Sequence, residues 1–220
     1  MGYTLNFSAV WRNFDHLLEG LALSLVLAVA SILAGCAVGL VTAFMLQSKN
    51  RAISGVARIY VTAIRNTPIL VLILFTYFAL PQLGLRLGKI ESFILTLTVY
   101  AGAYLAEIFR SGLVSMPKGL REAGLAIGLT EFQTRTSIII PIMIRNVLPS
   151  LGSTLISLFK DTSLAAAIAV PELTFYARKI NNETFRVVET WVVASCLYVA
   201  TCTVLAALLR VVERRLKIVR

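Results

Sequence analysis

The stretch PKGLREAGLAIGLTEFQTRTSIIIP, residues 117–141, is a polar segment between long apolar segments, and the rest of the chain is organised around it. Pro117 suits the first position of a helix, where its missing N–H costs little. Gly128 suits the left-handed residue just past a helix end. Thr130 would cap the next turn, with Gln133 as its capping-box partner. The stretch therefore predicts a bent pair of short helices.

The first of these helices has one face made of Leu120, Ala123, Gly124 and Ile127, at positions i, i+3, i+4 and i+7. Two of the four residues are very small, so another protein surface could approach the helix backbone closely. A surface helix of this length is only marginally stable alone. We therefore expect it to dock into a partner.

The composition indicates a membrane protein of one domain, residues 1–220. The chain is 58% hydrophobic and only 15% charged, with a mean hydropathy of +0.82, whereas a soluble domain of this size needs more charge on its surface. The net charge of +10 could suggest a nucleic-acid partner. The basic residues cluster instead at the ends of apolar runs, which is the pattern of a membrane protein and argues against nucleic-acid binding.

Hydropathy predicts an all-α fold with about five transmembrane helices, since a span needs about 20 apolar residues. The predicted spans are residues 21–46, 59–80, 92–109, 141–159 and 190–209, with the polar loop 115–135 between the third and the fourth. Residues 1–16 are amphipathic and predict a short helix or arm in the membrane interface. Gly35 and Gly39 permit close helix packing, either inside the bundle or at a dimer seam.

Counting charges gives an orientation. Residues 48–58, 110–145 and the tail from 210 hold thirteen of the 21 lysines and arginines, the opposite side holds seven, and Arg65 lies within a span. Positive residues favour the cytoplasmic side. The count therefore predicts that the polar loop and the C-terminus are cytoplasmic and that the N-terminus is outside.

The second span carries Arg65-Asn66-Thr67-Pro68 two to three turns in. A charge and a proline at that depth are costly in a helix that faces lipid, so these residues should face protein or a water-filled path. Pro68 also frees a backbone carbonyl, which Thr67 or a ligand could satisfy. The alternative is a kinked helix whose arginine reaches back to the interface.

The third span carries a polar stripe. Thr96, Tyr100, Tyr104, Glu107 and Ser111 are spaced so that all five lie on one helix face, within about 80°. A polar stripe on a membrane helix belongs inside the bundle. Glu107 can also pair with Arg110 three residues on, and we interpret that pair as structural.

The fourth span has a second stripe, formed by Ser150, Thr154, Ser157 and Asp161, which project within about 60° of one another. Its prolines, Pro141 and Pro149, predict a broken or tilted helix. An ionisable group in a membrane is a functional hypothesis by default, which makes Asp161 the best single candidate for a ligand contact. Asp161 could instead pair with Lys160 or lie in the outer interface.

Residues 161–163, Asp-Thr-Ser, open a short apolar stretch that ends before Pro171 and is too short to span a membrane. One of these three residues is expected to cap it as a helix.

The sequence contains no catalytic or metal-binding motif. It has no G-x-x-x-x-G-K-[ST] loop for ATP and no nucleophile or zinc signature. Its three cysteines, Cys36, Cys196 and Cys202, lie in apolar runs without a second ligand at metal spacing and are interpreted as small buried residues. We expect no catalytic site, no metal site and no cofactor on this chain, which would then be a conduit that takes its energy from elsewhere.

The spacing E-A-G, three residues, G, nine residues, I-x-I-P, from Glu122 to Pro141, resembles the EAA motif of ATP-binding-cassette importer permeases. Gly124 replaces the second alanine of that motif. Residues 65–70, RNTPIL, and residues 160–164, KDTSL, resemble stretches of the polar amino-acid permeases in that family. The resemblance covers the chain from about residue 17 to its end.

The resemblance implies a type I ABC importer permease fold, with Glu122, Ala123, Gly124 and Gly128 in a cytoplasmic coupling helix. It implies partners that are a cytoplasmic ATPase dimer binding ATP and Mg, a second permease subunit (identical or related) and a periplasmic amino-acid-binding protein. The location would be a bacterial inner membrane. The residues expected to line the substrate pathway are Asn66, Thr67, Tyr100, Tyr104, Ser150, Thr154, Ser157 and Asp161.

Three alternatives remain at this point. An ion-coupled secondary transporter would predict an inverted internal repeat, which five spans do not divide into. A purely structural membrane subunit would not need two polar stripes. A permease for another small polar solute, such as an opine, would share the same motifs. The charge of an amino-acid substrate also stays open: Ser153-Thr154 stands where permeases for cationic amino acids can have Asn-Glu, whereas Asp161 keeps one acidic group.

Overall fold

A computed structural model describes residues 3–216, and in this range the chain is helical without a β-strand. Met1, Gly2 and the tail from Lys217, which the predicted single domain and cytoplasmic C-terminus include, lie outside the described residues. The α-helices are α1 (Ser8–Arg12), α2 (Phe14–Leu46), α3 (Arg51–Arg65), α4 (Ile69–Leu74), α5 (Lys89–Val114), α6 (Lys118–Ala126), α7 (Glu131–Thr134), α8 (Ile140–Asp161), α9 (Leu173–Thr184) and α10 (Val187–Leu216).

Within the described residues, four helical segments are long and apolar enough to cross a membrane. They contain α2, α5, α8 and α10, and each extends beyond the span predicted from hydropathy. Helix α2, for example, begins at Phe14 and not near residue 21. A fifth candidate, α3 together with α4, is bent too sharply to count as one straight helix.

The break between α3 and α4 shows that the predicted second span, 59–80, is not one straight helix. Helix α3 ends at Arg65, α4 begins at Ile69, and the two helical segments meet at an angle of 103°. Pro68 lacks an N–H and disfavours a helical conformation in the residue before it. A hydropathy average runs across this site without detecting the change of direction, so it predicted one span where the chain forms two helices.

The fourth span is also more regular than predicted. Helix α8 continues through Pro149 without a break, and Pro141 lies in its first turn, where a missing N–H costs least. The irregularity lies earlier, in a π-helical turn at Arg135–Ile139 that joins α7 to α8.

The core is centred on α2 and α5, which approach closely at two glycines. A Cβ on Gly35 would lie 2.7 Å from the Cβ of Ala101, and a Cβ on Gly39 would lie 2.8 Å from that of Leu105. Larger side chains at these positions would therefore push α2 away from α5. Of the two uses proposed for this glycine pair, the structure shows packing inside the bundle.

Glu172 fixes α9 against the first and last long helices. Its carboxylate caps α9 by accepting hydrogen bonds from the backbone N–H groups of Thr174 (2.9 Å) and Phe175 (2.8 Å). It also accepts from the hydroxyls of Tyr198 in α10 (3.0 Å) and Ser24 in α2 (3.4 Å). One buried acid thus joins three helices.

A 3₁₀ segment, Thr162–Ile168, follows α8, and the predicted cap by Asp161, Thr162 or Ser163 is wrong because no side chain caps its first turn. Two cations hold its far end instead. Lys89 Nζ donates to the carbonyl oxygen of Ala169 at 2.7 Å, and Arg178 donates to that of Ala166 at 2.7 Å.

Candidate functional site

The polar loop folds as the predicted bent pair of helices, α6 and α7. Gly128 has φ of 86°, in the left-handed region, and the capping box between Thr130 and Gln133 is present, with bonds of 2.9 and 3.2 Å. One detail differs: Pro117 is the residue before the helix and not its first position, because its ψ of 133° is extended. Local backbone chemistry therefore shapes this loop as the sequence indicates.

Gly124 packs against its own chain, which corrects part of the predicted docking face. Gly124 is buried, and a Cβ there would lie 2.6 Å from Cγ2 and 2.9 Å from Oγ1 of Thr134 in α7. The missing side chain lets α6 lie directly on α7. Ala123 and Ile127, by contrast, are exposed, so only part of that face is available to a partner.

An ion pair connects the two short helices. The guanidinium of Arg121 in α6 donates two hydrogen bonds to the carboxylate of Glu131 in α7, one of them from Nε at 3.2 Å. The pKa of Glu131 is lowered from its ordinary value, first by the hydrogen bond from Arg121 and further by the charges of Arg121, Arg135 and Lys49. The pair and the Gly124 contact together fix the angle between α6 and α7.

The outer surface of this unit combines one acid with large apolar side chains. Glu122 is exposed. Ile127 is 74% exposed and Phe132 is 75% exposed. Apolar side chains that project this far from a rigid loop are suited to insertion into a protein groove.

A second cluster lies where α3 breaks. The guanidinium carbon of Arg65, the last residue of α3, lies 5.2 Å from the ring centre of Tyr104 in α5, within cation–π range. Tyr100 donates a hydrogen bond to the hydroxyl of Tyr104 at 3.2 Å. The fold thus places a cation and two tyrosines in series.

Asn66 and Thr67 lie beside Arg65 but use their side chains on the helix. The Asn66 side-chain amide donates to the carbonyl oxygen of Thr62 at 2.7 Å. The Thr67 hydroxyl donates to that of Ala63 at 2.8 Å. The carbonyl that Pro68 leaves free, that of Ile64, accepts instead from the backbone N–H of Thr67 at 3.3 Å. In this structure both side chains stabilise the end of α3.

The remaining predicted pathway residues are less closely connected. Ser150 and Ser157 are exposed and Thr154 is half-buried, and within residues 3–216 none of their side chains donates a hydrogen bond to the tyrosine pair. The predicted structural pair on α5 is present, since Arg110 donates to Glu107 at 2.8 and 3.0 Å. Of the eight pathway residues, Tyr100 and Tyr104 are the two that a hydrogen bond joins in the described part of the chain.

The role of Arg65 in this cluster was not specified by the sequence. Its charge at membrane depth predicted that it faces protein or water. Its contact with Tyr104 was not predictable, because the two residues are far apart in the chain. Among the described residues, no group of three or more His, Cys, Asp or Glu side chains is placed to hold a metal ion.

Comparison with known proteins gives a consistent result. Residues 31–218 match the family model described as binding-protein-dependent transport system inner membrane component. The chain is 38% identical over 215 residues to the glutamine transport system permease protein GlnP of Escherichia coli K12, covering 97% of this chain and 98% of that protein. It is 34% identical over 218 residues to the L-cystine transport system permease protein TcyB of Bacillus subtilis, covering 98% and 93%.

A solved structure has the same fold. It is described as the crystal structure of an amino acid ABC transporter with histidines, and it matches with a TM-score of 0.87 and 30% identity. The match covers 97% of this chain and all of that one. The fold predicted from the sequence, that of a type I importer permease with about five spans, is therefore confirmed.

Proposed function

Since the chain belongs to the family of binding-protein-dependent transport system inner membrane components, we propose that it is the transmembrane subunit of an ATP-driven importer of polar amino acids. The observation that carries this proposal is the rigid unit of α6 and α7, which is fixed by its own contacts yet presents Glu122, Ile127 and Phe132 outward. A separate ATPase would bind this surface and supply the energy.

The assembly would contain two permease subunits, identical or related, two cytoplasmic ATPase subunits that bind ATP and Mg, and an external amino-acid-binding protein. The bilayer would be a bacterial inner membrane. The count of thirteen against seven basic residues supports a cytoplasmic loop 115–135, a cytoplasmic C-terminus and an external N-terminus.

The substrate would bind beside the series Arg65, Tyr104 and Tyr100, with Asp161 as its acidic contact. A zwitterionic amino acid carries a carboxylate and an ammonium group, and a guanidinium and a carboxylate are their natural partners. The tyrosine rings give an amphipathic wall with hydroxyls for a polar side chain. Relatives named for glutamine and L-cystine fit a substrate of this class.

Transport would proceed by alternating access. Binding of ATP would move the docked loop, and the loop would move α8, to which it is joined through the π-helical turn. Coupling of this kind requires that the ATPase contact differ in free energy between the two states of the permease. Helix α8 also carries Asp161, so the motion of the loop would reach the substrate site through one helix.

The first test concerns the docking surface. Glu122→Lys should abolish co-purification of the ATPase or uncouple ATP hydrolysis from transport, because it reverses the charge of an exposed acid on the proposed docking surface. Glu183→Lys reverses an exposed acid on α9 and is the matched control. Transport by Glu122→Lys at the rate of the unsubstituted complex would remove the docking role.

The second test concerns the substrate site. Asp161→Ala should change amino-acid selectivity or lower substrate-stimulated ATPase activity in the reconstituted complex. Unchanged selectivity and stimulation would show that Asp161 does not contact the substrate. Import that persists without ATP but follows an imposed ion gradient would instead support a secondary transporter.

A further inference from the structure

A basic cavity opens beside the α6–α7 unit, away from the tyrosine cluster. Its volume is about 720 Å³, and its walls come from the end of α2, the end of α5, helix α6 and the start of the α7–α8 segment. The residues that matter here are the cations Lys49, Arg121 and Arg135 and the apolar side chains Phe44, Val114 and Leu120. The cavity therefore joins two long helices to the unit that we assign to ATPase docking.

The cavity has an excess of positive charge. Its three cations face a single carboxylate, Glu131, which forms an ion pair with Arg121. The guanidinium carbon of Arg135 lies 5.7 Å from the ring centre of Phe44, which holds the cation against the cavity wall. Two positive charges are thus left for an anionic ligand.

The apolar wall places this charge at the edge of the membrane. Phe44 lies in the last turn of α2, and Val114 is the last residue of α5, where both candidate spans end. Val114 is 65% exposed. A ligand with an anionic head and a hydrocarbon tail would match both parts of the cavity, since basic pockets between membrane helices bind anionic lipid head groups.

We propose that this cavity binds the phosphate of an anionic phospholipid from the cytoplasmic leaflet, with Lys49 and Arg135 as its cationic contacts and the acyl chains along Val114. The proposal relies on the cytoplasmic placement of the loop in the proposed function. The bound lipid would connect α2 and α5 to α6, so the lipid composition of the membrane would affect the stability of the docking unit.

The test uses the full-length chain in complex with its ATPase, in nanodiscs of phosphatidylcholine with or without phosphatidylglycerol. Native mass spectrometry should detect retained phosphatidylglycerol on the unsubstituted complex. Lys49→Gln combined with Arg135→Gln should lower retention on the order of tenfold, because each basic residue near an anionic surface contributes to the attraction. Arg51→Gln, an exposed cation outside the cavity, is the matched control and should keep the lipid.

A second measurement addresses folding of the variant. Lys49→Arg combined with Arg135→Lys preserves both charges and should retain phosphatidylglycerol, and hydrogen exchange of residues 118–126 should slow when that lipid is present. Equal retention by the Gln variant would overturn the proposal, as would displacement of the lipid by millimolar inorganic phosphate, which would identify a site for a soluble anion. Because lipid retention is measured without transport, a failure here leaves the amino-acid importer proposal untouched, and a failure of transport leaves this one intact.

Discussion

Gly124 in α6 lies against Thr134 in α7 so closely that a Cβ on the glycine would be 2.6 Å from the threonine Cγ2. Thr134 is fully buried, and its hydroxyl has no hydrogen-bond partner among the described residues. The contact therefore depends on the absence of a side chain at position 124. It also leaves the Thr134 hydroxyl buried without a hydrogen bond, which is unfavourable.

Gly124→Ala, which would restore the alanine of the EAA pattern, should destabilise the protein by about 1–3 kcal/mol, because it overpacks a closed contact. Combining it with Thr134→Ala removes both clashing atoms and the unsatisfied hydroxyl and should recover most of that loss. Thermal unfolding in detergent measures both effects. Gly119→Ala is the control, since a Cβ there meets no atom within 4 Å, and a single variant as stable as that control would contradict the predicted clash.

The Arg121–Glu131 pair should tolerate exchange of its two charges but not the reversal of one. Arg121→Glu places two acids side by side and should weaken ATPase co-purification, whereas Arg121→Glu combined with Glu131→Arg should restore it. Both side chains are about half exposed, so the effect should shrink at high salt. If the double variant co-purified no more ATPase than the single variant, the ATPase would have to contact one of these charges directly.

The same pair predicts a pH dependence. The pKa of Glu131 is lowered in the folded protein, so Glu131 binds a proton more readily in the unfolded protein than in the folded one. The stabilisation it provides is therefore present above the ordinary carboxyl pKa and is lost as the pH falls through the lowered one. As the pH is lowered from 7 into the acid range, the thermal unfolding midpoint should fall less for the Arg121→Gln/Glu131→Gln variant than for the unsubstituted protein. An equal fall in the two proteins would contradict a stabilising role for the pair.

Local patterns in the sequence were sufficient for much of this structure. The capping box at Thr130, the left-handed Gly128 and the Glu107–Arg110 pair are confirmed because each depends on residues within one or two helical turns. The family predicted from the spacing between Glu122 and Pro141 is confirmed by the family model. Hydropathy also located the long helices, although it placed all their ends too far inside except that of α2 at Leu46.

Contacts between distant residues were not predictable in the same way. Hydropathy could not predict the 103° turn at Pro68, because a hydropathy average contains no information about backbone direction. The inward orientation of Gly124 depends on where α7 folds back, and the approach of Arg65 to Tyr104 depends on how α3 packs against α5. Periodicity placed Ser150, Thr154 and Ser157 on one face of α8, but it could not show that the tyrosine pair lies beyond their hydrogen-bonding reach.

Tyr104 should contribute to substrate binding chiefly through its ring. Tyr104→Phe keeps the aromatic face opposite Arg65, whereas Tyr104→Leu removes it and frees the guanidinium to move. We expect Tyr104→Leu to raise the transport KM about fivefold, consistent with a cation–π contact of roughly 1 kcal/mol. Tyr104→Phe, the matched control, should change it little. Equal KM values in the two variants would locate the substrate away from this ring.

Ala169 offers a way to stabilise the protein. It follows the 3₁₀ segment with φ of 56°, a left-handed conformation that costs an L-residue roughly 1–2 kcal/mol and glycine almost nothing. Its backbone carbonyl still accepts from Lys89 after substitution, so Ala169→Gly should raise stability by about 1 kcal/mol once the greater freedom of the unfolded glycine is counted. Ala167→Gly, two residues earlier inside the segment, lacks this relief and should lower stability by about 0.5–1 kcal/mol. Thermal unfolding of the two variants should therefore shift in opposite directions, and a decrease in both would show that the left-handed turn carries no strain that glycine relieves.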